Sequence, residues 1–173
     1  MPNIVLVVDM VKGFLEPGHN LYCGDGAREI IPNVQRLLER EQAAGSEILF
    51  ISDHHDPDDL EFQVFPVHCV TGTEEPNVIP ELEPFITATN VVPKNRYSGF
   101  FNTDLAQRLD GSKPDKLIIC GVCTNICVLH TTADARNRDY QVEVPTDCVA
   151  TFDHGAHAWA LEHLEKILGA KVV

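Results

Sequence analysis

Three residues that could together activate a nucleophile stand far apart in the 173-residue chain: Asp9, Lys94 and Cys127. A thiol attacks as its thiolate, so it needs a base, and a carboxylate such as Asp9 can take its proton. A cation such as Lys94 would hold that carboxylate ionised and stabilise the developing thiolate. Cys127 follows the apolar run Leu117-Ile118-Ile119-Cys120, which Gly121 breaks. Thr124 or Asn125 then offers an N-cap for a helix running to Asn137. Cys127 would thus lie in a first helical turn, where unpaired N–H groups and the helix dipole favour negative charge. Taken singly, Cys127 also reads as a small buried apolar residue, and Asp9 or Lys94 as a solvated charge at a strand end.

A second group gathers between residues 53 and 85: Asp53, His55, Glu61 and His68. Asp and His one residue apart in extended chain can aim both side chains at one ion, which turns His54 away. Two imidazoles with carboxylates suit zinc, iron or manganese better than calcium or magnesium. With eight histidines in the chain, a polar loop with incidental histidines is the competing reading. His19, His130, His154, His157 and His163 are expected on the surface or packed against helices.

The six cysteines, with no secretory signal, point to a reduced, cytoplasmic setting rather than a disulfide framework. Cys120-Gly-Val-Cys123 matches C-x-x-C, so a thiol oxidoreductase or zinc role is a reading from a different class. Against it, Cys120 belongs to a buried run, and no partner pair lies at zinc-finger spacing.

These residues need a scaffold that brings them together. Apolar runs at residues 3–9, 47–52, 89–93, 117–120 and 141–145 read as strands, with 171–173 as an edge strand. Residues 28–44, 102–109 and 154–168 read as helices, 10–27 as loop, 111–115 as a turn and 53–85 as a long functional loop. Such alternation implies one α/β domain over residues 1–173. It is a three-layer α/β/α architecture with a mostly parallel sheet of five or six strands. Ligands bind outside the carboxyl ends of such strands, where Asp9, Asp53, Lys94 and the Cys123–Cys127 turn all fall. A net charge of −13 with no basic run argues against nucleic acid or an anionic membrane as partner. No apolar stretch reaches membrane-spanning length.

Asp9 with Phe14, Lys94 in K-N-R-Y-S-G-F-F, and Gly121-Val-Cys-Thr-Asn-Ile-Cys127 together resemble the isochorismatase-like cysteine hydrolases over nearly the whole chain. The resemblance implies that Cys127, not Cys123, is the nucleophile. It also implies that the Val122–Cys123 peptide is cis and that the backbone N–H groups of Cys123 and Cys127 form an oxyanion hole. Two positions depart from the family pattern: Val11 stands where glutamine is usual, and Asn125 where aspartate is frequent. Asp53-x-His55 followed by Phe65-Pro-Val-His68 is similar to the metal segment of nicotinamidases. The resemblance makes Glu61 the fourth ligand and has one divalent transition metal, zinc first, with iron or manganese as alternatives, hold the ring nitrogen of nicotinamide. It places Phe14, Phe65, Tyr97, Phe100 (or its neighbour Phe101) and Val122 around the substrate. It also implies assembly into homo-oligomers. Within the same fold the alternative is hydrolysis of another small amide or of isochorismate; a catalytically dead binding protein is a further one.

Overall fold

The computed structural model describes residues 2–173. Six strands form a continuous parallel sheet in the order β3-β2-β1-β4-β5-β7. They are β1 (Ile4–Val8), β2 (Glu47–Asp53), β3 (Val91–Lys94), β4 (Leu117–Val122), β5 (Val142–Val144) and β7 (Lys171–Val172). The two-residue β6 (Val149–Ala150), which the sequence reading did not separate, pairs with the far end of β4. Among the described residues no helix is long and apolar enough to cross a membrane.

The unbroken apolar character of β1 and β4 follows from burial on both faces. Val5 and Val7 face one core with Ile118, Cys120 and helix α3 (Ile31–Ala43). Ile4, Leu6 and Val8 face the other, with Leu117, Ile119 and helix α4 (Leu105–Ser112). Helices α5 (Leu129–Asn137) and α6 (His154–Lys166) cover the second face too, through Ala135 and Leu164. Helix α3 presents Ile31, Val34, Leu37 and Leu38 as its buried stripe, with Pro32 in its first turn.

Several local expectations are corrected. The helix expected at 28–44 begins at Ile31, because a separate turn, α2 (Asp25–Arg28), precedes it. The supposed loop 10–27 also holds α1 (Lys12–Leu15), and the loop 53–85 holds 3-10 turns at Leu60–Gln63 and Pro80–Phe85. Helix α4 starts three residues later than expected. Asn102 takes a left-handed φ of 52° instead of capping it, Thr103 accepts from the Leu105 N–H, and Gly111 falls inside the helix. The helix expected after β4 is divided into a π-helical turn, Thr124–Val128, and α5. Neither Thr124 nor Asn125 caps it: the cap position is Cys123, and the Thr124 hydroxyl is instead 2.9 Å from His157 Nδ1.

Gly121 has a strict local reason. Its φ is +113°, and a Cβ there would meet the Val8 carbonyl oxygen at 2.0 Å. Only glycine lets β4 pass that close to β1 as it turns toward Cys127.

Candidate active site

The sheet order puts the carboxyl ends of β3, β2, β1 and β4 side by side, and their last residues converge. Lys94, pairing with Asp53 in register, sits at the centre. Its Nζ lies 2.9 Å from Asp9 Oδ2 and 3.5 Å from Cys127 Sγ, and it donates a short hydrogen bond to Asp53 Oδ1. Asp9 Oδ1 accepts from the Asp53 N–H at 2.9 Å. Asp9 adopts a left-handed φ of 51° at the end of β1, and the Val122–Cys123 peptide is cis.

Electrostatics refine the expected roles. Burial pushes the Asp9 carboxyl up to about 6, helped by Asp53 and only partly offset by Lys94. Burial, then the neighbouring Asp9 charge, also pushes the Cys127 thiol well above its ordinary range despite Lys94. The resting pair at neutral pH is therefore carboxylate and thiol, not the preformed thiolate that the helix-start position suggests. Burial opposes charge on Asp53 and Lys94 as well, but each holds the other ionised: Asp53 is shifted down and Lys94 well up.

Asp53 joins this cluster to the second one. While Oδ1 takes Lys94, Oδ2 lies 3.5 Å from His55 Nε2 and 3.8 Å from His68 Nε2. One donor atom from each of the three residues falls within 4.8 Å of the others, all buried, a group that could hold a metal ion. Glu61 Oε1 is 3.9 Å from His68 Nε2. The donor set passes a direct test of fit. His55 Nε2 and Glu61 Oε2 are buried without a hydrogen-bond partner, which is costly, and the nearest cation to Glu61 Oε2, Arg96 Nη1, stands off at 3.9 Å. Meanwhile the other nitrogens are engaged: His55 Nδ1 is 2.9 Å from Asp59 Oδ2, and His68 Nδ1 is 2.7 Å from the Pro66 carbonyl. That leaves both Nε2 atoms turned to the same point, as second-sphere partners do for ligating histidines. Burial works against charge on His55, yet Asp53 and Asp59 hold its imidazole up to about 9. His54 turns back onto the Ser52 carbonyl, as its alternation implied.

Asp59 was not singled out from sequence, where it is one acid among many. Besides orienting His55, it accepts the Glu61 N–H at 2.8 Å, fixing the turn that carries Glu61, and it accepts from Arg96 Nη1 at 2.9 and 3.0 Å.

A cavity of about 320 Å³ opens over both clusters. Phe14, Phe65 and Tyr97 line it, as do Asp9, Asp53, Glu61, His68, Cys123 and Cys127. Phe14 and Phe65 stand 5.7 and 6.4 Å from the His68 ring. Two expected wall residues are not there. Phe100 is turned into the core beneath Arg138, whose guanidinium carbon is 4.7 Å from its ring, and the Val122 side chain is fully buried among α3-side core residues. The sequence reading missed Asn20–Cys23, Ile126 and the exposed Phe152, which complete the wall. The 20–23 segment has no periodicity that could have flagged it.

Comparison with known proteins agrees with this architecture. The family model for the isochorismatase domain matches residues 3–173. The uncharacterised isochorismatase family protein PncA of Bacillus subtilis (strain 168) is 33% identical over 181 residues, covering 99% of each chain. The crystal structure of a pyrazinamidase/nicotinamidase from Streptococcus mutans UA159 superposes with a TM-score of 0.93 at 32% identity over 99% of both chains. That of the pyrazinamidase of Pyrococcus horikoshii in complex with zinc gives 0.89 at 29% identity, over 100% of this chain and 99% of that one. The fold and these likenesses define a hydrolase of amide C–N bonds. The chain belongs to the isochorismatase family.

Proposed function

We propose that the protein is a metal-dependent nicotinamidase, converting nicotinamide and water to nicotinate and ammonia, and acting likewise on pyrazinamide. The observation that carries this reading is the double engagement of Asp53, which ties the thiol site to the His55–His68 donor group along one cavity. A divalent transition metal held by Asp53, His55, Glu61 and His68 would supply a Lewis-acid contact for the pyridine nitrogen. Phe14 and Phe65 flank that position and suit a flat ring. At the other end Asp9 takes the proton from Cys127, Lys94 stabilises the thiolate, and the sulfur attacks the amide carbon. The Cys123 and Cys127 backbone N–H groups receive the oxyanion. Asp9 returns the proton to the departing ammonia, and water then hydrolyses the thioester.

The decisive experiment is an ammonia-release assay on purified protein whose metal content is known. Nicotinamide and pyrazinamide should be hydrolysed by protein carrying about one metal per chain. Benzamide, with the amide but no ring nitrogen, should be a poor substrate. Metal-free protein that cleaves benzamide as well as nicotinamide would overturn the assignment.

The position of Asp9 sets the pH dependence. A base must be ionised, so kcat/KM should fall about tenfold per pH unit as pH drops below about 6, where the carboxylate protonates. A profile flat down to pH 4.5 would remove Asp9 from that role.

Asp59→Asn tests the support beneath the metal donors. The asparagine amide can donate to His55 Nδ1, which would move the ring proton to Nε2 and cost that atom its lone pair. Metal affinity should fall about 10–100-fold, read by chelator competition, with the circular dichroism spectrum unchanged. Wild-type affinity in Asp59→Asn would show that the contact does not set the tautomer.

A further inference from the structure

Two cysteines of the cavity wall have no part in this scheme as side chains. Cys23 and Cys123 come from distant parts of the chain, yet their sulfurs lie 3.5 Å apart, facing each other beside the substrate space. All six cysteines are free thiols, and Cys120, the other half of the C-x-x-C motif, is fully buried within β4. The sulfur facing Cys123 is thus that of Cys23, outside the C-x-x-C motif.

We propose that Cys23 and Cys123 are an oxidation site, closed to a disulfide by a peroxide entering the substrate cavity, and that closure stops turnover. In the first step one sulfur, as thiolate, attacks a peroxide oxygen. The O–O bond breaks, leaving a sulfenic acid on that cysteine and hydroxide from hydrogen peroxide. The second thiolate then attacks the sulfenic sulfur, forming the S–S bond and expelling hydroxide. With the two thiol protons counted, two thiols and one hydrogen peroxide give one disulfide and two waters.

The geometry favours this pair, although the adjoining Cys23 thiol and burial push the Cys123 thiol well above its ordinary range. A disulfide needs the sulfurs at about 2.05 Å, so they must approach by about 1.5 Å. The movable partner is Cys23. It lies in the irregular segment between α1 and α2, bounded by Gly18 and Gly24 at φ of 97° and 90° and held at Cys23 by its N–H to the Phe14 carbonyl. Cys123 is fixed between β4 and the π-helical turn, its carbonyl accepting from the N–H groups of Ile126 and Val128. Closure would draw Leu21 and Tyr22 into the cavity and strain the turn that aims the Cys123 amide. Displacement of about 1 Å in a catalytic turn can cost about 100-fold in rate.

The test treats the full-length protein with hydrogen peroxide and then blocks remaining thiols with iodoacetamide. A non-reducing tryptic digest should yield a cross-link between the peptide holding Cys23 and that holding Cys123, with two of the six thiols lost. Because Cys120 and Cys127 share the tryptic peptide of Cys123, fragment ions must place the bond. Cys23→Ser should form no such link, and Cys23→Ala gives the same reading should serine disturb folding. The linked protein should lose turnover about 100-fold and regain it with dithiothreitol. This activity readout rests on the hydrolase reading, whereas the cross-link does not. A mapped link in protein that never releases ammonia would overturn the function and keep the pair. A Cys123–Cys127 link, or oxidation of Cys127 with Cys23 left free, would overturn the pair. So would a link that leaves turnover intact.

Discussion

Cys127→Ala is expected to abolish ammonia release from nicotinamide, by about 10⁵-fold or more, because, of the cavity's thiols, it is Cys127 that lies against Lys94. The alanine fits the same space, so the melting temperature and metal content should stay close to wild type, separating lost chemistry from lost structure. In the proposed mechanism Lys94 Nζ, 3.5 Å from the sulfur, and the raised Asp9 carboxyl serve to move one proton off this thiol. An active Cys127→Ala protein, or activity lost only with the side chain of Cys123, would put the nucleophile elsewhere.

The largest effect on stability is expected from Lys94→Met. Its ammonium is buried between Asp9 and Asp53, and removing it leaves two carboxylates facing each other out of water. Breaking such a group costs about 3–5 kcal/mol, a fall in Tm of about 10 °C for a chain of this size. The loss should itself depend on pH. Without Lys94 the Asp9 carboxyl, already raised to about 6, rises further and Asp53 loses the cation that holds it down, so the folded state binds protons more tightly. Stability should then recover as pH falls from 8 towards 5.5, the opposite of ordinary acid destabilisation. A variant that melts like wild type at pH 8 would show that the ion cluster is not held as described.

Much of this was legible in the sequence because it follows from local chemistry. Doubly buried parallel strands write themselves as apolar runs, and β1, β2 and β4 were found within a residue or two at most ends. Strand ends then carried Asp9, Asp53 and Lys94 into one place by topology alone. What stayed hidden depends on tertiary contacts. Nothing near Asn20–Cys23 announces that it walls a cavity, and Asp59 acquires its meaning only where His55, Glu61 and Arg96 meet it. Phe100 was misplaced because an aromatic residue in a loop looks the same whether it faces a ligand or packs under Arg138. The π-helical turn at Thr124–Val128 likewise escapes a period-based reading, which sees only one helix.

The order of strands in the sheet has a consequence for how the protein is made. β1, β2 and β3 are consecutive in sequence and adjacent in space, and they bring Asp9, Asp53 and Lys94 together by themselves. The other edge of β1 waits for β4, which a ribosome delivers only after more than a hundred residues. During synthesis the acid–lysine cluster can therefore assemble first, before Cys127, the thiol beside it in the finished fold, has been made. The Cys127 sulfur joins them later, through the β1–β4 pairing, the strand pairing with the greatest separation along the chain. The Asp9–Lys94–Cys127 group is thus complete only once β4 has paired with β1, and chemistry that depends on it cannot precede that pairing.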